Sequence, residues 1–179
     1  MAAHMRRRAF AITAAIVLGW GCFWHSGVDA AIVATSLRKA APDFALVDST
    51  GTPITLSKYK GRVVLLDFWA TWCTGCKVEI PWFIEWEQKY KSQGLTAIGA
   101  AMDEEGWTLV TPYVAEHPIN YPIVLGYPSL MTPYQITALP VTFLIDRNGR
   151  IADVHAGIVD KDVWEDEIRA LLTESSARR

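Results

Sequence analysis

Two cysteines stand two residues apart in WATWCTGCKVEIP, residues 69–81, with tryptophans before them and a proline after. Cys73 and Cys76 could bind a metal, brace the fold or carry electrons. A structural zinc site takes four ligands. Past the first thirty residues the chain adds only His117 and His155, neither in a ligand-spaced pair, so no metal site is expected. Each histidine reads as a surface or loop residue, with His155 sharing a polar strand face with Asp153. A purely structural disulfide is poorly motivated, because closing so small a loop barely restricts the unfolded chain. Electron transfer fits better. A strand-length apolar run, RVVLLDFWA, precedes the pair and a helical pattern follows it, placing Cys73 at a helix N-terminus. Unpaired amides and the macrodipole there favour a thiolate. Lowering a thiol pKa from about 8.5 to about 7 takes roughly 2 kcal/mol and raises the thiolate fraction at neutral pH from a few per cent to about half. Cys73 is then the nucleophile, and Cys76, one turn later and deeper, the resolving thiol.

The elements that must position this pair follow from pattern. FALVD-STG-TPITL alternates about a turn and predicts a β-hairpin, followed by a connecting turn at residues 57–61. RVVLLDFWA reads as a strand buried on both faces of a parallel sheet. A helix is predicted from Thr74 to Tyr90, with Ile80, Phe83 and Ile84 on its buried stripe and a kink at Pro81. LTAIGAAMD, residues 95–103, is the next buried strand. Residues 104–135 predict a helix broken near Pro112, a short strand YPIVL and a Pro/Ser/Thr-rich turn. VTFLID and RIADVHAGIV form a hairpin closed by Asn148-Gly149. A last helix carries Trp164, Ile168, Leu171 and Leu172 at helical spacing. The fold class is therefore α/β, with a mixed central sheet flanked by helices.

The chain has 179 residues, is 51% hydrophobic and contains eight tryptophans, so one ordinary domain with a sizeable core is expected. Arg6-Arg7-Arg8, the apolar run from Ala9 and the small residues ending at Ala30 read as an export signal, residues 1–30, or an uncleaved membrane anchor. Either places the domain in an extracytoplasmic, periplasmic setting. Cys22 lies inside this segment as a small apolar residue. Residues 31–41 are unpatterned and read as a linker to a domain spanning 42–175. The formal net charge is −2 and grows more negative without the arginine cluster, so no nucleic-acid partner is expected.

APDFALVDSTGTPITLSKYKGRVVLLDFWATWCTGCKVEIP, residues 41–81, resembles the TlpA/ResA-like branch of the thioredoxin superfamily, which are exported thiol–disulfide oxidoreductases. LPVTFLIDRNGRI, residues 139–151, resembles the same family's second signature. The likeness runs from Ala41 to Leu172. It implies a thioredoxin-like fold with an N-terminal β-hairpin and a central insertion at residues 104–135. It also implies a Cys73–Cys76 redox disulfide and a cis-proline at Pro140 facing it. Leu139 then offers a free backbone edge to a substrate strand, and Trp72 lines the site, while Trp69 packs.

Two carboxylates belong to the same reading. Asp67 interrupts an apolar strand, where a charge is costly unless paired or protonated, and matches the aspartate beneath the thioredoxin disulfide. It is expected to accept the Cys76 proton; the alternative is a hydrogen-bonded strand-end residue. Glu79 lies one turn after Cys76 and matches the branch's cytochrome-maturation reductases, which suggests that it tunes the cysteines or contacts substrate; the alternative is a solvated residue. Lys77 reads as exposed. Thr74-Gly75 departs from the proline or acidic residue common between the cysteines. The expected activity is reduction of protein disulfides, such as those of apocytochrome c. No cofactor is needed, a membrane-embedded thiol–disulfide protein supplies electrons, and the protein is monomeric. The alternatives are a disulfide oxidase or isomerase, a peroxidase and a copper-delivery protein. Peroxidases of this fold want a proline where Asp67 stands, and copper carriers space their cysteines one residue wider.

Overall fold

The computed structural model describes residues 32–174, so the expected export segment and Cys22 lie outside it. Strand β1 (Ala45–Val47) pairs antiparallel with β2 (Pro53–Thr55), forming the expected hairpin. Strand β3 (Val63–Trp69) leads into helix α1 (Thr74–Tyr90), β4 (Leu95–Ala101), helix α2 (Trp107–Glu116) and β5 (Ile123–Leu125). A four-residue helix α3 (Met131–Tyr134), the hairpin β6 (Val141–Ile145) and β7 (Ile151–Ala156), and helix α4 (Lys161–Thr173) complete the chain. The central sheet runs β5-β4-β3-β6-β7, with β3, β4 and β5 parallel and β6 and β7 antiparallel to their neighbours.

Every residue of β3 is buried, because helices or loops cover both faces. Val63, Leu65 and Trp69 join the layer beneath α1 and α4, while Val64, Leu66 and Phe68 join the opposite layer. Each such side chain contributes about 1.5–3 kcal/mol of burial. By alternation Asp67 faces the α1/α4 layer. That layer is aromatic: Phe83, Trp86 and Trp164 pack with ring centroids 5.5–5.9 Å apart. The buried Glu87 carboxylate accepts the Ala97 amide at 2.8 Å and fastens α1 to β4.

Two expectations change. Helix α2 is not broken at Pro112 but continues through it. The ring forfeits only the bond an amide would have made to the Thr108 carbonyl, and the buried Val110 holds the helix to the core. The segment read as a linker is attached: the Val33 amide donates to Ala152 and the Ile151 amide to Lys39, both at 2.8 Å. Arg38 there is buried, pairing with Asp146 at 3.1 Å and Glu174 at 2.7 Å.

Candidate active site

The strand β3 and helix α1 meet at Trp69–Thr74, and the cysteines sit at that junction. Cys73 is the N-cap of α1, its Sγ accepting the Cys76 amide at 3.1 Å. The two form a disulfide. Cys73 is 5% exposed and Cys76 1%, so Cys73 is the more accessible sulfur. The turn before them is clamped by Asp103 at the end of β4. Its carboxylate accepts the Thr71 amide at 3.1 Å and the Thr71 hydroxyl at 2.5 Å. Sequence reasoning missed this pair. The available signal was a carboxylate just past the C-terminal end of a parallel strand, where sites of α/β sheets gather.

The Leu139–Pro140 peptide is cis, and Pro140 is buried against the start of α1. A Cβ at Gly75 would lie 3.1 Å from Pro140 Cδ and 3.4 Å from Ile158 Cγ1, so the glycine between the cysteines lets the proline approach. Among the described residues the backbone of Leu139 has no backbone partner. Trp72 is 64% exposed, whereas Trp69 is buried and packs on Tyr113. Between Trp72 and Leu139 lies a groove of about 190 Å³ lined also by Met102, Tyr127 and Met131. The central insertion thus supplies part of its wall. Lys77 is exposed, with its Nζ 5.9 Å from the Tyr113 ring centroid.

Asp67 is buried on β3 and receives one hydrogen bond, from Thr142 Oγ1 at 3.2 Å; its Oδ2 has no partner among the described residues. Burial, followed by the nearby Glu79 charge, pushes its pKa well above the usual carboxylate range. Glu79 is not a solvated helix residue. It is 1% exposed with an unpartnered Oε1. Burial raises its pKa to about 7, opposed by His155 and by a hydrogen bond with the Val159 backbone. His155 is no loop residue either. Its ring stacks on Trp164 at 4.4 Å, and its Nε2 lies 2.6 Å from Glu167 and 3.3 Å from Asp153. His117 is exposed and stacks on Tyr113. The structure thus brings Cys73, Cys76, Gly75 and Pro140 together, with Asp67 and Glu79 as interacting buried carboxyls.

A Cys-x-x-Cys disulfide at the N-terminus of a helix, beside a cis-proline on a mixed sheet, defines a thioredoxin-like thiol–disulfide oxidoreductase. The chain belongs to the AhpC/TSA family, whose model matches residues 37–154. It is similar to the thiol-disulfide oxidoreductase ResA of Bacillus subtilis, at 31% identity over 165 residues, covering 90% of this chain and 92% of that protein. ResA of Geobacillus kaustophilus is 32% identical over 139 residues, 77% of this chain and 79% of that one. A solved structure from Chlorobium tepidum, assigned as thiol:disulfide interchange protein DsbE, aligns with a TM-score of 0.72 at 34% identity. That alignment covers 75% of this chain and 96% of the other. The protein is a thiol–disulfide oxidoreductase of the ResA type.

Proposed function

We propose that this oxidoreductase works as a reductant of protein disulfides outside the cytoplasm, with the disulfide of an apocytochrome c haem-attachment motif as a substrate. Its electrons come from a membrane-embedded dithiol protein. The N-terminal arginine cluster and apolar run support the location. The observation behind the direction is a pair of buried carboxyls, Asp67 on β3 and Glu79 on α1 one turn after Cys76. A strong oxidant needs its reduced form favoured by a very stable thiolate. Buried carboxyls that acquire negative charge near Cys73 oppose that thiolate.

In the reductive cycle the Cys73 thiolate attacks one sulfur of the substrate disulfide, and the substrate's other sulfur leaves as a thiolate and takes a proton from water. Cys76 gives its proton to the buried carboxyl pair, with Asp67 the first acceptor, and attacks Cys73 Sγ. The Cys73–Cys76 bond forms, the bond to substrate breaks, and the second substrate thiolate is protonated. Two electrons have passed to substrate. The free backbone edge at Leu139 and the groove beside exposed Trp72 hold the substrate strand; adding a strand to an open edge is a common peptide-docking mode.

The test mixes reduced protein with an oxidised Cys-x-x-Cys-His peptide, the haem-attachment pattern, and separately oxidised protein with the reduced peptide. Thiols are counted by mass spectrometry after acid quench. Reduction of the peptide should dominate. Net peptide oxidation by the disulfide form would overturn the reading in favour of an oxidase.

A further inference from the structure

The strand register places three polar side chains in one row. Asp67 of β3 stands opposite Thr142 of β6, and Thr142 stands opposite His155 of β7. Directly paired residues project from the same face of a sheet, so all three enter the α1/α4 layer. Thr142 Oγ1 already bonds Asp67, and His155 Nε2 continues the row to Glu167 of α4 and Asp153 of β7. The side chain of Glu167 is 1% exposed, that of His155 10% and that of Asp153 23%, so the row opens to water at Asp153. Glu79 of α1 lies over it, close enough to interact electrostatically with both Asp67 and His155.

The cysteine chemistry needs such a route. The carboxyl that receives the Cys76 proton is sealed from solvent, and its own proton must leave before it can accept one, so resolution itself waits on this exchange. At 2.6 Å the His155 and Glu167 side chains already satisfy each other. That spacing suits a shared proton. The charged groups facing His155 are Asp153 from its own strand, Glu167 from α4 and Glu79 from α1, with Asp67 of β3 beyond Thr142.

We propose that His155, held by Glu167 and Asp153, is the positioning residue through which the buried carboxyls Asp67 and Glu79 exchange their proton with solvent. The carboxyl proton passes to the imidazole, and the imidazolium is held between Glu167 and Asp153. Water at the exposed side of Asp153 then takes the proton. No electron moves in this step, and the buried pair returns to its starting charge.

The experiment follows resolution alone. Reduced protein is converted to the Cys73–thionitrobenzoate mixed disulfide, and release of the coloured thiolate by Cys76 is timed in stopped flow across pH at low and high buffer. In His155→Gln, which keeps an amide donor toward Glu167, release should slow by about tenfold at low buffer. That is less than the roughly 10²–10⁴ of direct acid–base catalysis. Added imidazole should restore it. Asp153→Asn, a substitution at the open end, should show a smaller loss, also restored by imidazole. A His155→Gln rate equal to wild type, or a slow rate that imidazole leaves unchanged, would overturn the proposal. Should His155→Gln fail to fold, an Asp153→Asn rate indifferent to buffer would do the same. The inference rests on exchange through Cys73 and Cys76, not on its direction. Wild-type adduct that never releases thionitrobenzoate would instead count against the exchange reading itself.

Discussion

Thr142 Oγ1 donates to Asp67 Oδ1 at 3.2 Å, and Asp67 Oδ2 lies buried with no partner among the described residues. A carboxylate so poorly paired is expensive to keep charged, which is why burial drives its pKa upward. The folded state therefore holds a proton that the unfolded chain releases near pH 4. Stability is present below that pH and falls as pH rises toward the folded pKa. Asp67→Asn removes this loss, so it should stabilise the protein more at about pH 8 than at about pH 5. It should also slow Cys76 attack by about a hundredfold at neutral pH. Denaturant melts and thionitrobenzoate release check the two halves. Unchanged release with lower stability would make Asp67 a structural hydrogen-bonding residue.

Glu79 gives a defined window. Its pKa rises from 4.5 to about 7 on folding, so wild type should lose up to about 3 kcal/mol relative to Glu79→Gln as pH rises across that range. Chemical denaturation of both proteins at matched pH measures the difference. A flat difference from pH 4.5 to 7 would mean that the carboxyl is not held in its acid form.

The cysteine roles separate by trapping. Cys76→Ala should accumulate a mixed disulfide through Cys73, since attack proceeds and resolution does not. Cys73→Ala should reduce no model disulfide. Mass spectrometry of the trapped adduct decides, and an adduct on Cys76 in wild type under limiting reagent would reverse the assignment.

How much of this was legible depended on how far apart the partners lie in the chain. The buried strand β3, the span Thr74–Tyr90 of α1 and the Asn148-Gly149 turn follow from local pattern, and the structure has them. Cys73, Cys76 and Pro140 come from two compact motifs. The four-residue α3 is too short to show a helical period, and the pattern at Pro112 overstated what one missing amide does. His155 with Glu167, Thr71 with Asp103 and Arg38 with Glu174 are separated by 12, 32 and 136 residues. No local signal joins such pairs. Only the sheet order and the packing of the helices bring them together, so His155, read as a surface residue, turns out to stack on Trp164.

Arg38 tests the attachment of the segment before β1. Its guanidinium, 1% exposed, holds Asp146 and Glu174. Breaking a buried pair from one side leaves a charge behind, so Arg38→Met should cost about 3 kcal/mol, softened because Arg150 still pairs Asp146. Thermal or urea denaturation reads the loss, while the rate of thiol–disulfide exchange should stay at the wild-type value.

A reductase and an oxidase of this fold differ in the reduction potential of the couple, here Cys73–Cys76, which sets the direction of electron flow. Titration against glutathione or dithiothreitol, read by alkylation and mass shift, should place the couple nearer about −270 mV, the thioredoxin value, than about −120 mV, that of a strong oxidant of the same fold. The gap of about 150 mV corresponds to roughly 7 kcal/mol for two electrons, more than one neighbouring side chain blurs. A potential above about −180 mV, the range of a disulfide isomerase, would contradict the reductase reading.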